Sequence, residues 1–180
     1  MAEFHLFIAV SLDGFIATPS GGVEWLNAFE AEDYGYDAFF QEVDSLVMGR
    51  FTYEQIRAGR VWPYLGKPSL ILTSTALHPP VPELVEPWFG GSRDLITGLR
   101  RMPGRVWVVG GARTIHAFLM AGAVDRLAVF TMPLMLGNGI RLFPPGPPPR
   151  PLRLLECRSW DNGSVLCRYA TLEEPVTPPA

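Results

Sequence analysis

Three short stretches of this sequence could hold a phosphate group. Gly110 and Gly111 follow the apolar run Val106–Val109 with no polar loop between, and Gly49-Arg50-Phe51-Thr52 follows Ser45–Met48 in the same way. A glycine at a strand end lets the backbone come close to a ligand. The free N–H groups and positive end of a following helix then attract an anion. Arg50 adds a planar, permanently charged fork suited to phosphate, and Thr52 can either cap the helix or bond a phosphate oxygen. Thr73-Ser74-Thr75 puts hydroxyls at the end of the run Pro68–Thr73, where they either bond an anion or make turns. A βα corner that uses glycine only to turn gives the same Gly-Gly pattern, and a solvated surface arginine gives the same Gly-Arg pair.

Acidic side chains are the other candidates. Asp13 lies in Ser11-Leu12-Asp13-Gly14, a turn between the apolar runs Phe4–Val10 and Phe15–Ala17. It either braces that turn with an Asx hydrogen bond, the commoner use, or lines a pocket at the edge of a sheet. Glu30, Glu32 and Asp33 read as a solvated helix start, where acids suit the dipole.

The elements that must position these residues follow from periodicity. Phe4–Val10, Ser45–Met48, Pro68–Thr73, Val106–Val109 and Val124–Met132 are apolar, β-branched runs of strand type. Glu24-Trp25-Leu26 leads into a helical zone in which Tyr36, Phe39, Phe40 and Val43 share one core face. A helix starts after Gly49, and Ser92 is placed as the N-cap of another through Arg101, with Leu95, Ile96 and Leu99 inward. After Gly111, Ile115, Phe118, Leu119 and Gly122 keep helical spacing, with Gly122 where a C′ glycine belongs.

The proline-rich segment His78–Gly91 is expected to wind over the surface, and Pro144–Pro151 to be a stiff connector. Leu152–Trp160 and Ser164–Leu172 are strand-like and joined by Asp161-Asn162-Gly163, a hairpin signal. A three-residue loop there puts Cys157 opposite Cys167; a two-residue Asn162-Gly163 turn puts them on opposite faces. The order predicts an α/β fold with a mostly parallel, helix-covered sheet and an antiparallel edge. Ligands bind such sheets at the C-terminal ends of the strands.

Composition removes several function classes. The chain has 180 residues, 48% of them hydrophobic and 18% charged, which suits one globular domain over 1–172 with 173–180 as a frayed tail. A net charge of −3 leaves no basic footprint for nucleic acid. No apolar run approaches a membrane span and no signal peptide is evident, so the expected location is cytoplasmic. The three histidines match no metal-ligand spacing, and the motifs of zinc deaminases, serine hydrolases and phosphate-loop enzymes are missing.

Val-Met-Gly-Arg-Phe-Thr-Tyr-Glu (47–54), Ile-Leu-Thr-Ser (71–74) and Val-Val-Gly-Gly-Ala-Arg (108–113) resemble the cofactor motifs of dihydrofolate reductases, in the same order and at similar spacing. Ser-Leu-Asp-Gly-Phe-Ile-Ala (11–17) and the region 123–143 are more similar to the reductase domain of bacterial riboflavin-biosynthesis deaminase-reductases. The resemblance covers Phe4 to Leu172 and implies a dihydrofolate reductase-like three-layer fold with helices on both faces of the sheet. It also implies an NADPH-dependent reductase without flavin or metal, usually a homodimer, acting on a small molecule. In that reading Gly49, Arg50 and Thr52 hold the adenosine side and its phosphates, and Thr73 and Ser74 lie near the 2′-phosphate. Gly110, Gly111, Arg113 and Thr114 hold the pyrophosphate, and Ala9 and Ile16 flank the nicotinamide. The deaminase half has no counterpart here, and Phe15 stands where the riboflavin enzymes often carry lysine.

The implied chemistry is hydride transfer to a heterocyclic substrate, a ribosylaminopyrimidine or a pterin-like compound. Such a reaction needs an apolar wall and at most one proton source or orienting carboxylate. Asp13 is the first candidate for that role and Glu30 the second, Glu30 being the nearest analogue of the carboxylate that dihydrofolate reductases place in the helix after Pro-Trp, though the local spacing differs and the proline before Trp25 is missing. The competing expectation is a non-catalytic nucleotide-binding or interaction protein that keeps the fold.

Overall fold

The computed structural model describes residues 1–172 apart from Arg60, Pro144, Pro147 and Pro148. The expected tail 173–180 and part of the proline-rich connector lie outside the described residues. In chain order the elements are β1 (Glu3–Ser11), β2 (Phe15–Ala17), a 3-10 turn (Glu24–Phe29), α1 (Tyr36–Glu42), β3 (Ser45–Gly49) and α2 (Arg50–Ala58). Then come β4 (Ser69–Leu72), β5 (Val85–Trp88), α3 (Ser92–Arg100), β6 (Arg105–Gly110) and α4 (Ala112–Met120). The chain ends with β7 (Val124–Met132), β8 (Ile140–Arg141), β9 (Leu152–Ser159) and β10 (Val165–Thr171).

Eight strands form one sheet in the order β5-β4-β3-β6-β1-β7-β10-β9. All neighbours run parallel except β10, which is antiparallel to both β7 and β9. The central strands are apolar almost throughout because both faces are covered. On one face Leu95, Ile96 and Leu99 of α3 and Ile115 and Phe118 of α4 pack on Phe4, Leu6 and Val108. On the other, Phe39 of α1 and Tyr53 of α2 pack on Leu46, Met48 and Trp107. Each such fully buried side chain contributes roughly 1.5–3 kcal/mol. The expected three-layer α/β architecture is the one observed.

Gly122 closes α4 as its spacing predicts. It takes a left-handed φ of 62°, its N–H donates to Leu119 O at 3.0 Å, and Ala123 N donates to Phe118 O at 2.9 Å. Two expected caps shift by a residue or more. The N-cap of α3 is Gly91 rather than Ser92, and that of α2 is Gly49, which puts Thr52 inside the first turn. The segment His78–Gly91 is not all surface loop: it contains β5, paired parallel to β4 from Ser69↔Val85 to Leu72↔Trp88. Pro87 cannot donate to a ladder and is tolerated because β5 is the sheet's edge.

The hairpin adopts the three-residue loop. Trp160 N donates to Ser164 O at 3.0 Å, Gly163 N to Trp160 O at 2.9 Å, and Gly163 has φ 84°. Cys157 and Cys167 therefore stand opposite each other.

Candidate functional site

The chain starts in the middle of the sheet, so the C-terminal ends of β3, β6 and β1 come side by side. A cavity of about 1090 Å³ opens there, where ligands bind open parallel sheets. It brings together all three phosphate-type stretches: Gly49, Arg50 and Thr52, then Thr73 and Ser74, then Gly110 to Thr114.

The β3–α2 and β6–α4 turns abut. A Cβ on Gly49 would sit 2.9 Å from Thr114 Oγ1, and one on Gly111 would sit 3.1 Å from Thr52 Oγ1. Gly110 has φ +136°, which L side chains rarely adopt, and the Gly110–Gly111 peptide is cis. No side chain caps either helix. Two helix N-termini thus meet at the cavity, each preceded by glycine, leaving space and backbone N–H groups for an anion. Thr114 is buried between the turns, while Arg113 is exposed at the rim.

Arg50 is held in place before any ligand arrives. Its Nε donates to Glu54 Oε1 at 2.6 Å, one turn along α2, and Nη1 donates to Ala76 O at 3.0 Å, Thr75 O at 3.2 Å and the Thr75 hydroxyl. The guanidinium therefore ties the β4 exit loop to α2. The Thr73 hydroxyl donates to Thr75 O at 2.9 Å and accepts from Thr75 N and, at 3.4 Å, from Arg50 Nη1. Ser74 lines the cavity and is exposed.

The opposite end is apolar. Ala9 of β1 and Ile16 of β2 line it together with Phe7, Val23 and Leu26. Phe7 is fixed by stacking on Phe39 at 4.4 Å and leaning on Phe130 at 4.6 Å. The strand pair β2–β8 borders this end through Ile16 and Ile140.

Neither carboxylate candidate lines the cavity. Asp13 accepts from Ser11 Oγ at 2.6 Å, from Leu136 N at 3.0 Å and from Gly137 N at 2.7 Å. Ser11 Oγ in turn accepts from Phe15 N. The Ser11 hydroxyl first, and then the two backbone N–H groups, hold the Asp13 carboxyl below the usual carboxylate range. An ionised carboxylate held by three donors braces the loop after β7. Glu30 is exposed at the C-terminal end of the 3-10 turn, outside the cavity, because that turn presents Trp25, Leu26 and Phe29 inward. Among the described residues, no carboxylate, histidine or cysteine lines the cavity.

Sequence reasoning missed Phe7, Val23, Leu26 and Gln55 as lining residues. Gln55 donates to Gly21 O at 2.7 Å and so pins the loop before Val23 to α2. Its only sequence signal is its place one turn beyond Thr52. Val23 and Leu26 carry none, because an apolar residue in a loop reads the same whether it faces a ligand or a neighbour.

The family model described as RibD C-terminal domain matches residues 92–166. The chain is 38% identical over 141 residues to the uncharacterized protein YwjB of Bacillus subtilis, covering 77% of this chain and 80% of that protein. Among solved structures, a Shewanella sp. PV-4 protein assigned to riboflavin biosynthesis superposes with a TM-score of 0.84 at 28% identity, over 95% of this chain and 99% of that one. The diaminohydroxyphosphoribosylaminopyrimidine deaminase/5-amino-6-(5-phosphoribosylamino)uracil reductase of Thermotoga maritima shares the fold, with a TM-score of 0.69 at 16% identity over 95% of this chain and 57% of that one.

Proposed function

Because the chain belongs to the RibD C-terminal domain family, within the dihydrofolate reductase-like superfamily, we propose that it is an NADPH-dependent reductase of a small heterocyclic substrate. The observation that carries this reading is the meeting of two uncapped helix N-termini, through Gly49 and Gly111, in one cavity that Arg50 and the apolar Phe7, Ala9 and Ile16 also line.

The residues fit the cofactor. The Gly49 and Gly110-Gly111 turns give close approach and N–H donors for a pyrophosphate. Arg50 and Ser74 would meet the additional phosphate of the adenosine half, and Ala9 and Ile16 would wall the nicotinamide. Bound NADPH supplies a hydride. The chain's own share is to orient the ring against Ala9 and Ile16 and to exclude water with the apolar end, effects that account for much of the rate when reactants are correctly placed. The assembly that accompanies this reading is a homodimer, which sedimentation of the purified chain tests.

The test is titration of the protein with NADPH and NADH, followed by the fall in reduced-nicotinamide absorbance with pyrimidine and pterin substrates. Tight NADPH binding with turnover supports the reading. Binding without turnover across the panel favours a nucleotide-binding protein that keeps the fold, and no binding removes both.

A further inference from the structure

One wall of the cavity is a turn, residues 18–23, whose two ends are fixed. Before it, Ala17 of β2 pairs with Ile140 of β8. After it, Trp25 and Leu26 pack against the cluster of Ala128, Phe130, Met132 and Leu166. Between these anchors the turn closes on itself. Thr18 N donates to Gly22 O at 2.9 Å, Gly21 N to Thr18 O at 2.9 Å and Gly22 N to Thr18 Oγ1 at 3.0 Å. A turn clasped at its base in this way moves as one piece, with Pro19, Ser20 and Gly21 at its tip. All three line the cavity.

The tip meets α2, the helix that brings Arg50 and Thr52 to the same cavity. Gln55 Nε2 donates to Gly21 O at 2.7 Å. The ring of Phe51 lies against Gly21, where an added Cβ would come within 2.6 Å of it, and Gly21 has φ +89°. Gly21 is therefore buried although Pro19 and Ser20 beside it are exposed. Phe51 is itself 57% exposed, so core packing does not account for its place. Among the described hydrogen bonds, the one from Gln55 alone joins this tip to the helix. One hydrogen bond and one half-exposed ring make a contact weak enough to open and reclose by local fluctuation.

Resting on the reductase reading, we propose that the 18–23 turn is a flap, latched to α2 by Gln55 and Phe51, and that a dinucleotide enters and leaves the cavity when this latch opens. Motions of this kind set the rate of ligand exchange rather than its equilibrium. The latch joins two parts of the chain and needs no ligand atom. Losing it raises the open fraction alike for loading and for release, so both rates rise and the affinity holds. A side chain that touched the ligand would instead change release and affinity together. Gln55 is thus a positioning residue for the flap.

The test is Gln55→Met, which keeps the length of the side chain and removes the donor. Gln55 is exposed, so the change disturbs no core packing. Stopped-flow NADPH fluorescence should show association and release both faster by about 2- to 10-fold, the worth of one net hydrogen bond, with Kd within about twofold. Hydrogen exchange at the Gly21 amide, measured without ligand, should quicken by a similar factor. That measurement decides the flap without any cofactor, while NADPH binding to the unmodified protein decides the reductase reading. No NADPH binding with faster Gly21 exchange would remove the reductase reading and keep the flap. Faster release with affinity lost in proportion would make Gln55 a ligand contact and overturn the proposal, as would unchanged rates or unchanged Gly21 exchange.

Discussion

Cys157 of β9 and Cys167 of β10 face each other across the terminal hairpin with their sulfur atoms 3.7 Å apart. The Trp160–Ser164 pair exchanges a backbone hydrogen bond, and antiparallel pairs alternate, so Cys157–Cys167 is a non-hydrogen-bonded pair. Its Cα atoms are then about 4.5 Å apart, inside the range a disulfide spans. Both cysteines are free thiols. The hydrogen bond shared with Cys167 favours the protonated Cys157 thiol and raises its pKa, so alkylation should be slow at neutral pH and accelerate above the ordinary thiol range. Diamide should remove both thiols together within one chain and raise stability by roughly 2–3 kcal/mol through the closed loop. Two thiols still titratable after diamide would contradict this geometry.

Arg50 holds the β4 exit loop, and its proposed second role at the cofactor's phosphate separates from that by experiment. Arg50→Ala should weaken NADPH binding by roughly 1.5–3 kcal/mol, on the order of 10- to 100-fold, with a smaller loss for NADH. Arg50→Lys keeps the charge but loses the fork that reaches Thr75 and Ala76, and should fall between. Fluorescence titration of both cofactors measures this. Equal losses for NADPH and NADH would confine Arg50 to holding the β4 exit loop.

The positioning half of the site was legible because its physics is local. A strand, a glycine and a helix start follow one another directly at Met48-Gly49-Arg50 and Val109-Gly110-Gly111, and the cavity lies where those patterns put it. The lining of the apolar end was not legible, because Phe7, Val23 and Leu26 become neighbours only once β1 takes the centre of the sheet. The bracing partners of Asp13 were hidden for a related reason: Leu136 and Gly137 are more than a hundred residues away in sequence. Strand β5 was hidden because four residues that include Pro87 carry too little periodicity to outweigh the prolines around them.

Glycines divide by backbone demand. Gly110 has φ +136° at the cavity, so Gly110→Ala should cost roughly 1–3 kcal/mol in urea unfolding and lower NADPH affinity. Gly98 lies inside α3 with nothing within 4 Å of an added Cβ, and Gly98→Ala should stabilise by about 0.5–1 kcal/mol. Matching effects at the two positions would mean that the strained turn is not required.

Asp13→Asn tests the brace against the acid. The Asp13 carboxyl has its pKa lowered by Ser11 and the Leu136 and Gly137 N–H groups. A group of that kind contributes stability above its unfolded pKa and loses it as pH falls through the folded one. The variant should therefore be less stable than the unmodified protein at neutral pH. The gap should narrow on acidification below the carboxylate range, where the unmodified protein loses the same interaction. NADPH affinity should hold, and turnover per folded molecule should fall by less than about tenfold, well short of the 10²–10⁴-fold loss of a general acid. Thermal melts across pH, paired with turnover corrected for the folded fraction, measure both. An unchanged melting curve with a turnover loss of about 10²-fold or more would return Asp13 to the chemistry and remove it from the brace.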